Sequence, residues 1–158
     1  MRAESYNSLA VTALEPASGL TRYVAMALLV VAGSAVTAIA AQFRLDLPFT
    51  PVPISGQTFA VLLVGAVLGS RLGGAALMAY WTEGAIGLPV FAGGTGGWGV
   101  ITGPSGGYIV GFIIAAFVVG WLAERGFDRH PLSAALAMFV GNIVIYVVGL
   151  PWLDHFFP

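Results

Sequence analysis

The sequence predicts an all-α, polytopic membrane helix bundle, and three observations carry that expectation. Of 158 residues, 58% are hydrophobic and only 8% are charged, whereas soluble domains carry about a quarter charged residues. The charges are spaced so that several uncharged runs approach the roughly 20 residues a helix needs to cross a bilayer. The densest proline and glycine stretches fall between those runs, where turns belong.

The first run, residues 23–43, lies between Arg22 and Arg44 and predicts helix one. Residues 1–22 then form an amino-terminal segment outside the bilayer and residues 23–158 a membrane domain. Ala38-Ile39-Ala40 resembles a signal-peptide cleavage site, but Glu4, Glu15 and the length of the preceding segment favour a retained helix. Pro48, Pro51 and Pro53 forbid a continuous helix, so Leu47 to Ile54 reads as a loop and helix two runs from near Ser55 to near Gly69. Arg71 leaves room for a tight turn before helix three, Leu72 to about Gly87, which Glu83 interrupts. Eight of the fifteen positions from Gly93 to Gly107 are glycine, which predicts a loop without regular helix. Helix four follows from Tyr108 to Ala123, and helix five from Leu132 to Leu150.

Several chemistries are excluded by composition. The chain has no cysteine, hence no disulfide, zinc-thiolate site or iron–sulfur cluster. All six basic residues are arginine, which removes the Walker A loop and Schiff-base chemistry. His130 and His155 flank opposite ends of helix five, without the nucleophile and carboxylate of a hydrolytic site. No catalytic residue, metal ligand or cofactor is therefore expected. A net charge of −1 without a basic cluster gives no footprint for nucleic acid.

Orientation follows from arginine, which collects on the cytoplasmic side. With the amino terminus inside, Arg2, Arg22, Arg71, Arg125 and Arg129 are cytoplasmic and Arg44 alone is external. Polar residues concentrate toward the same external side. Gln57 lies just below the outer end of helix two, and Glu83 is about 18 Å above Arg71 at ~1.5 Å per residue. Asn142 sits near mid-depth, with Tyr146, Tyr108 and Trp98 further out. Polar groups in hydrocarbon face a cavity or one another, so together these describe a pocket open to the outside. Each has a structural alternative: Glu83 as an acid bonded to a neighbouring helix, Asn142 as interhelical glue, Gln57 as a helix cap, Trp98 and Tyr108 as interfacial anchors. The pairs Gly65/Gly69, Gly107/Gly111, Ala116/Gly120 and Ala137/Gly141 are read as helix-packing contacts.

The loops carry a resemblance. Phe49-Thr50-Pro51-Val52-Pro53-Ile54, followed by Gln57-Thr58-Phe59-Ala60-Val61-Leu62-Leu63, resembles the first external loop and second helix of the BioY family, the biotin-binding subunits of energy-coupling-factor transporters. Gly84-Ala85-Ile86-Gly87-Leu88-Pro89-Val90-Phe91-Ala92-Gly93-Gly94, then Gly97, then Gly103-Pro104-Ser105-Gly106-Gly107-Tyr108 and Gly111-Phe112, is similar to the family's most characteristic stretch. The resemblance implies a multi-pass protein of the bacterial plasma membrane, surrounded by lipid. It would capture biotin from outside and work with a transmembrane coupling subunit and paired cytoplasmic ATPases, some members acting without that module.

Biotin presents a ureido group, an apolar thioether ring and a carboxylate tail. Gln57 and Asn142 are expected to meet the ureido group, and Phe91, Trp98, Tyr108 and Tyr146 to cover the apolar body. The tail is expected on loop amides from Gly93 and Gly94 to Gly97, or on the helix-four terminus. Arg44 is disfavoured for that role because Asp46 neutralises it. Glu83 belongs near the ureido end, or neutral.

The family pattern has six helices and this reading finds five. The last, preceded by an external Pro-Gly-Asp and a lysine, is absent, so one pocket wall is expected to be missing and binding to be weak. The coupling subunit typically docks on Ala-xxx-Ala in helix one, but here Ala25 and Ala27 precede Leu29 and Val31 by four residues. Only Gly33/Thr37/Ala41 and Ser34/Ala38 keep small spacing. A binding subunit for a different vitamin, and a truncated membrane fragment that binds nothing, remain open alternatives.

Overall fold

A computed structural model describes residues 8–157; Arg2 and Glu4, weighed above, lie outside them. The helices in chain order are α1 (Leu9–Leu14), α2 (Gly19–Gln42), α3 (Gln57–Ala85), α4 (Trp98–Ile101), α5 (Gly106–Ala123) and α6 (Pro131–Asp154). α2 begins at Gly19, inside the segment that the sequence reading assigned to the region before the membrane. α2, α3, α5 and α6 are each long and apolar enough to cross a bilayer.

α3 is two helical arms folded into a hairpin. Gly69 has φ +84° and ψ 178°, a conformation that only glycine adopts without strain, and it divides α3 into arms of residues 57–68 and 70–85. A Cβ placed on Gly73 would lie 2.9 Å from the Cα of Gly65, whereas a straight helix would separate those residues by about 12 Å. The arms therefore run antiparallel, giving the five helical segments expected. The break falls at Gly69 itself, so Arg71 sits in the first turn of the second arm rather than in a loop.

The α3 hairpin and α5 form the buried centre, with α2 and α6 as more exposed flanks. Small residues make the contacts. A Cβ on Gly65 would meet the Ala116 backbone, and one on Gly120 would run into Gly69 and Ser70. Gly111 faces the Ile145 carbonyl, Gly141 is filled by Leu62 and Val119, and Gly33 receives Ala76. With no water to expel between helices in lipid, such close approach supplies the packing energy. The exposed faces of α2 and α6, including Leu28, Val31, Phe139, Ile143 and Val147, suit contact with acyl chains.

At the end bearing the hairpin turn, α1 packs on α3, with Ser8 Oγ donating to the Leu68 carbonyl at 3.0 Å. There the Glu124 carboxylate accepts from the Ser70 amide at 2.9 Å and from Ser70 Oγ, capping the second arm as it starts. Arg125 stacks over Trp121 at 3.5 Å from the ring centroid.

At the other end the structure adds one local detail and corrects two expectations. The proline loop is framed by a short antiparallel ribbon, β1 (Arg44–Leu45) against β2 (Ile54–Ser55), with Arg44 opposite Ser55. The glycine-rich segment contains one helical turn, α4, because Trp98 packs edge-on against Trp81 at 5.9 Å and fixes a stretch whose composition disfavours helix. α6 continues past Leu150 through Pro151 to Asp154, since Trp152 packs on Gly107 and donates its Nε1 hydrogen to the Gly103 carbonyl at 2.9 Å.

Candidate ligand cavity

A cavity of about 390 Å³ opens at the end of the bundle bearing the long loops, within the range typical of small-ligand sites. Five pieces of chain build it: the proline loop from Thr50 to Ser55, the outer end of the first α3 arm at Gln57 and Thr58, the glycine-rich loop at Phe91, Ala92 and Thr95, and the facing sides of α5 and of α6. Arg44 stands at its edge on β1.

Gln57 is the buried polar group of this cavity, 6% exposed. Its Oε1 accepts from Ser55 Oγ at 2.8 Å and its Nε2 donates to Tyr80 Oη. Tyr80, wholly buried on the second α3 arm, passes its own hydrogen to the Val90 carbonyl at 3.0 Å. One relay thus ties the first arm, the second arm and the glycine-rich loop together and sets the direction of the Gln57 amide. An oriented amide whose carbonyl has two lone pairs and whose nitrogen has two hydrogens retains capacity for a ligand.

The apolar walls come from aromatic residues. Phe91, 1% exposed, stands edge-on to Tyr80 at 5.4 Å between centroids and occupies the space that a side chain on Gly84 would need. Tyr108 and Tyr146 meet edge-on at 6.0 Å, joining α5 to α6 across the cavity, with Phe112 and Ile145 behind them.

Of the residues proposed from sequence, Gln57, Phe91, Tyr108 and Tyr146 line this cavity. Others lie elsewhere. Glu83 accepts a hydrogen bond from Ser34 Oγ between α2 and α3, the interhelical alternative. Asn142 is not on the cavity lining; it lies in an apolar groove of α6 with Phe139, Ile143 and Val147, which Tyr146 borders on its other side from the cavity, and its Nδ2 donates to the Met138 carbonyl of its own helix at 3.5 Å. Trp98 is 62% exposed and packs on Trp81. Gly93, Gly94 and Gly97 all have positive φ and shape the loop outside the cavity wall. The Gly94 amide donates to the Phe91 carbonyl at 3.1 Å and the Gly97 amide to the Gly84 carbonyl at 2.6 Å. Sequence reasoning set Arg44 aside and missed the cavity lining by Thr58 and the proline loop, and the support from Tyr80 and Ser34. Tyr80 and Ser34 were visible as polar residues within apolar runs.

The BioY family matches residues 10–157, almost the whole of the described chain. The chain belongs to the BioY family. Similar BioY proteins include the probable biotin transporter BioY of Pyrococcus horikoshii, 43% identical over 122 residues, which are 77% of this chain and 70% of that protein. The biotin transporter BioY of Rhizobium etli is 40% identical over 69% of this chain and 62% of its own length. That of Thermotoga maritima is 42% identical over 71% and 65% respectively. The chain thus spans about two thirds of the length of these BioY relatives. Its fold is similar to a 2.1 Å crystal structure of the S-component for biotin from an ECF-type ABC transporter, with a TM-score of 0.79 and 27% identity over 88% of this chain and 76% of that one. The BioY match and the apolar helices make it a multi-pass membrane protein.

Proposed function

We propose that this chain is the substrate-binding subunit for biotin uptake, taking biotin from the external side of the bacterial plasma membrane with its amino terminus in the cytoplasm. The reading rests on one observation: a cavity of about 390 Å³ that combines a buried, oriented amide at Gln57 with aromatic walls at Phe91, Tyr108 and Tyr146 and, among the described residues lining it, no carboxylate. The amide suits a ureido group, the rings suit a thioether bicycle, and an acid-free lining tolerates an anionic tail. The biotin named for the relatives supports the same ligand.

Uptake would then need the membrane coupling subunit and cytoplasmic ATPases of the energy-coupling-factor class. Calorimetric titration of the detergent-purified chain with biotin tests the proposal, with competition by other vitamins as the control for specificity. Saturable binding that other vitamins do not displace is expected. Absence of saturable binding, or displacement by an unrelated vitamin, overturns it.

A further inference from the structure

We infer that Arg44 is the residue that anchors the ligand's carboxylate tail, at the edge of the cavity beside the glycine-rich loop; this rests on the biotin reading of the same site. Among the described residues lining the cavity, Arg44 is the charged one. The ribbon sets it directly across from Ser55, whose hydroxyl holds the Gln57 amide. Arg44 on β1 and the Gln57 amide at the start of α3 are therefore held on the same cavity by one local frame.

Two further features support this assignment. Gly93 has φ +73°, and a Cβ there would strike the Arg44 guanidinium, so the loop glycine makes room for the arginine. The Gly94 and Gly97 amides, which would otherwise cradle an anion, are already donated to the Phe91 and Gly84 carbonyls. Asp46 does not remove Arg44 from contention. The pair is 3.3 Å apart, with Asp46 66% and Arg44 39% exposed, and solvent-exposed pairs hold weakly. A guanidinium has five donors, enough to serve Asp46 and a ligand carboxylate together.

The experiment compares biotin with its neutral primary amide on the purified chain and on Arg44→Gln, Arg44→Lys and Asp46→Asn. The parent is expected to prefer biotin over the amide by about ten- to a hundredfold, the range for a charge-assisted hydrogen bond. Arg44→Gln should erase that preference while keeping the parent's affinity for the amide, which also reports that the variant is folded. Arg44→Lys should restore part of the preference, and Asp46→Asn should preserve or enlarge it. A preference that persists in Arg44→Gln, an absent preference in the parent, or loss of both ligands in Arg44→Gln would each overturn the role of Arg44 and leave the biotin reading standing. A parent that binds neither ligand overturns the biotin reading itself.

Discussion

Gln57 and Tyr80, 23 residues apart in the chain, are joined by a hydrogen bond from Gln57 Nε2 to Tyr80 Oη across the α3 hairpin. Because Tyr80 is in turn bonded to the Val90 carbonyl, one relay links the hairpin, the loop and the cavity amide. Gln57→Ala should weaken biotin binding by about 1–3 kcal/mol, the cost of leaving a buried polar partner unpaired. Tyr80→Phe should produce a smaller loss by freeing the Gln57 side chain. Calorimetry on both variants is the check, and parent-like affinity in Gln57→Ala would remove this amide from the site.

Asn142→Ala, in contrast, should bind biotin within about twofold of the parent. Its side chain lies in the apolar groove of α6 and donates to its own helix, where an amide contributes little differential binding. A tenfold loss in the same calorimetric titration would show that α6 turns this face toward the ligand.

Ser34→Ala should lower stability by about 1–3 kcal/mol, since it strips the Glu83 carboxylate of its partner from α2. Glu83→Gln should be milder, because an amide still accepts from the serine hydroxyl. Neither change should alter biotin affinity if the pair stands outside the cavity. Thermal unfolding in detergent, followed by tryptophan fluorescence, reads the first effect and titration the second.

Glu124→Ala should destabilise the hairpin by about 1–3 kcal/mol, because the carboxylate caps the second α3 arm at the Ser70 amide and hydroxyl. Glu124→Gln should retain part of that capping. The same unfolding assay distinguishes them, and a parent-like melting temperature for Glu124→Ala would show that the Gly69 turn holds without this cap.

Labelling from outside intact cells should modify a cysteine at position 95 and spare one at position 71. The chain has no native cysteine, so each single substitution reports alone. The Thr95 loop and the turn at Arg71 lie at opposite ends of the second α3 arm, and the arginine bias puts the latter inside. Reversed labelling would invert the topology.

The sequence by itself determined the membrane class, the five apolar segments, the two elaborate loops and the family. Each depends on composition read along the chain: charge spacing fixes what enters hydrocarbon, and proline and glycine fix where the chain turns. What only the tertiary structure decided was which side of each helix faces inward. Helices that are apolar all round carry no amphipathic stripe to reveal their buried face, so depth was legible for Glu83 and Asn142 while direction was not. Packing of small residues set that direction, turning Glu83 toward Ser34 and Asn142 toward the apolar groove. Arg44 shows the same division from the other side. Its neighbour Asp46 made it look neutralised in sequence, yet pairing of β1 with β2 puts Arg44 at the cavity edge, with its guanidinium in the space left by Gly93, a relationship between distant segments that spacing along one chain does not encode.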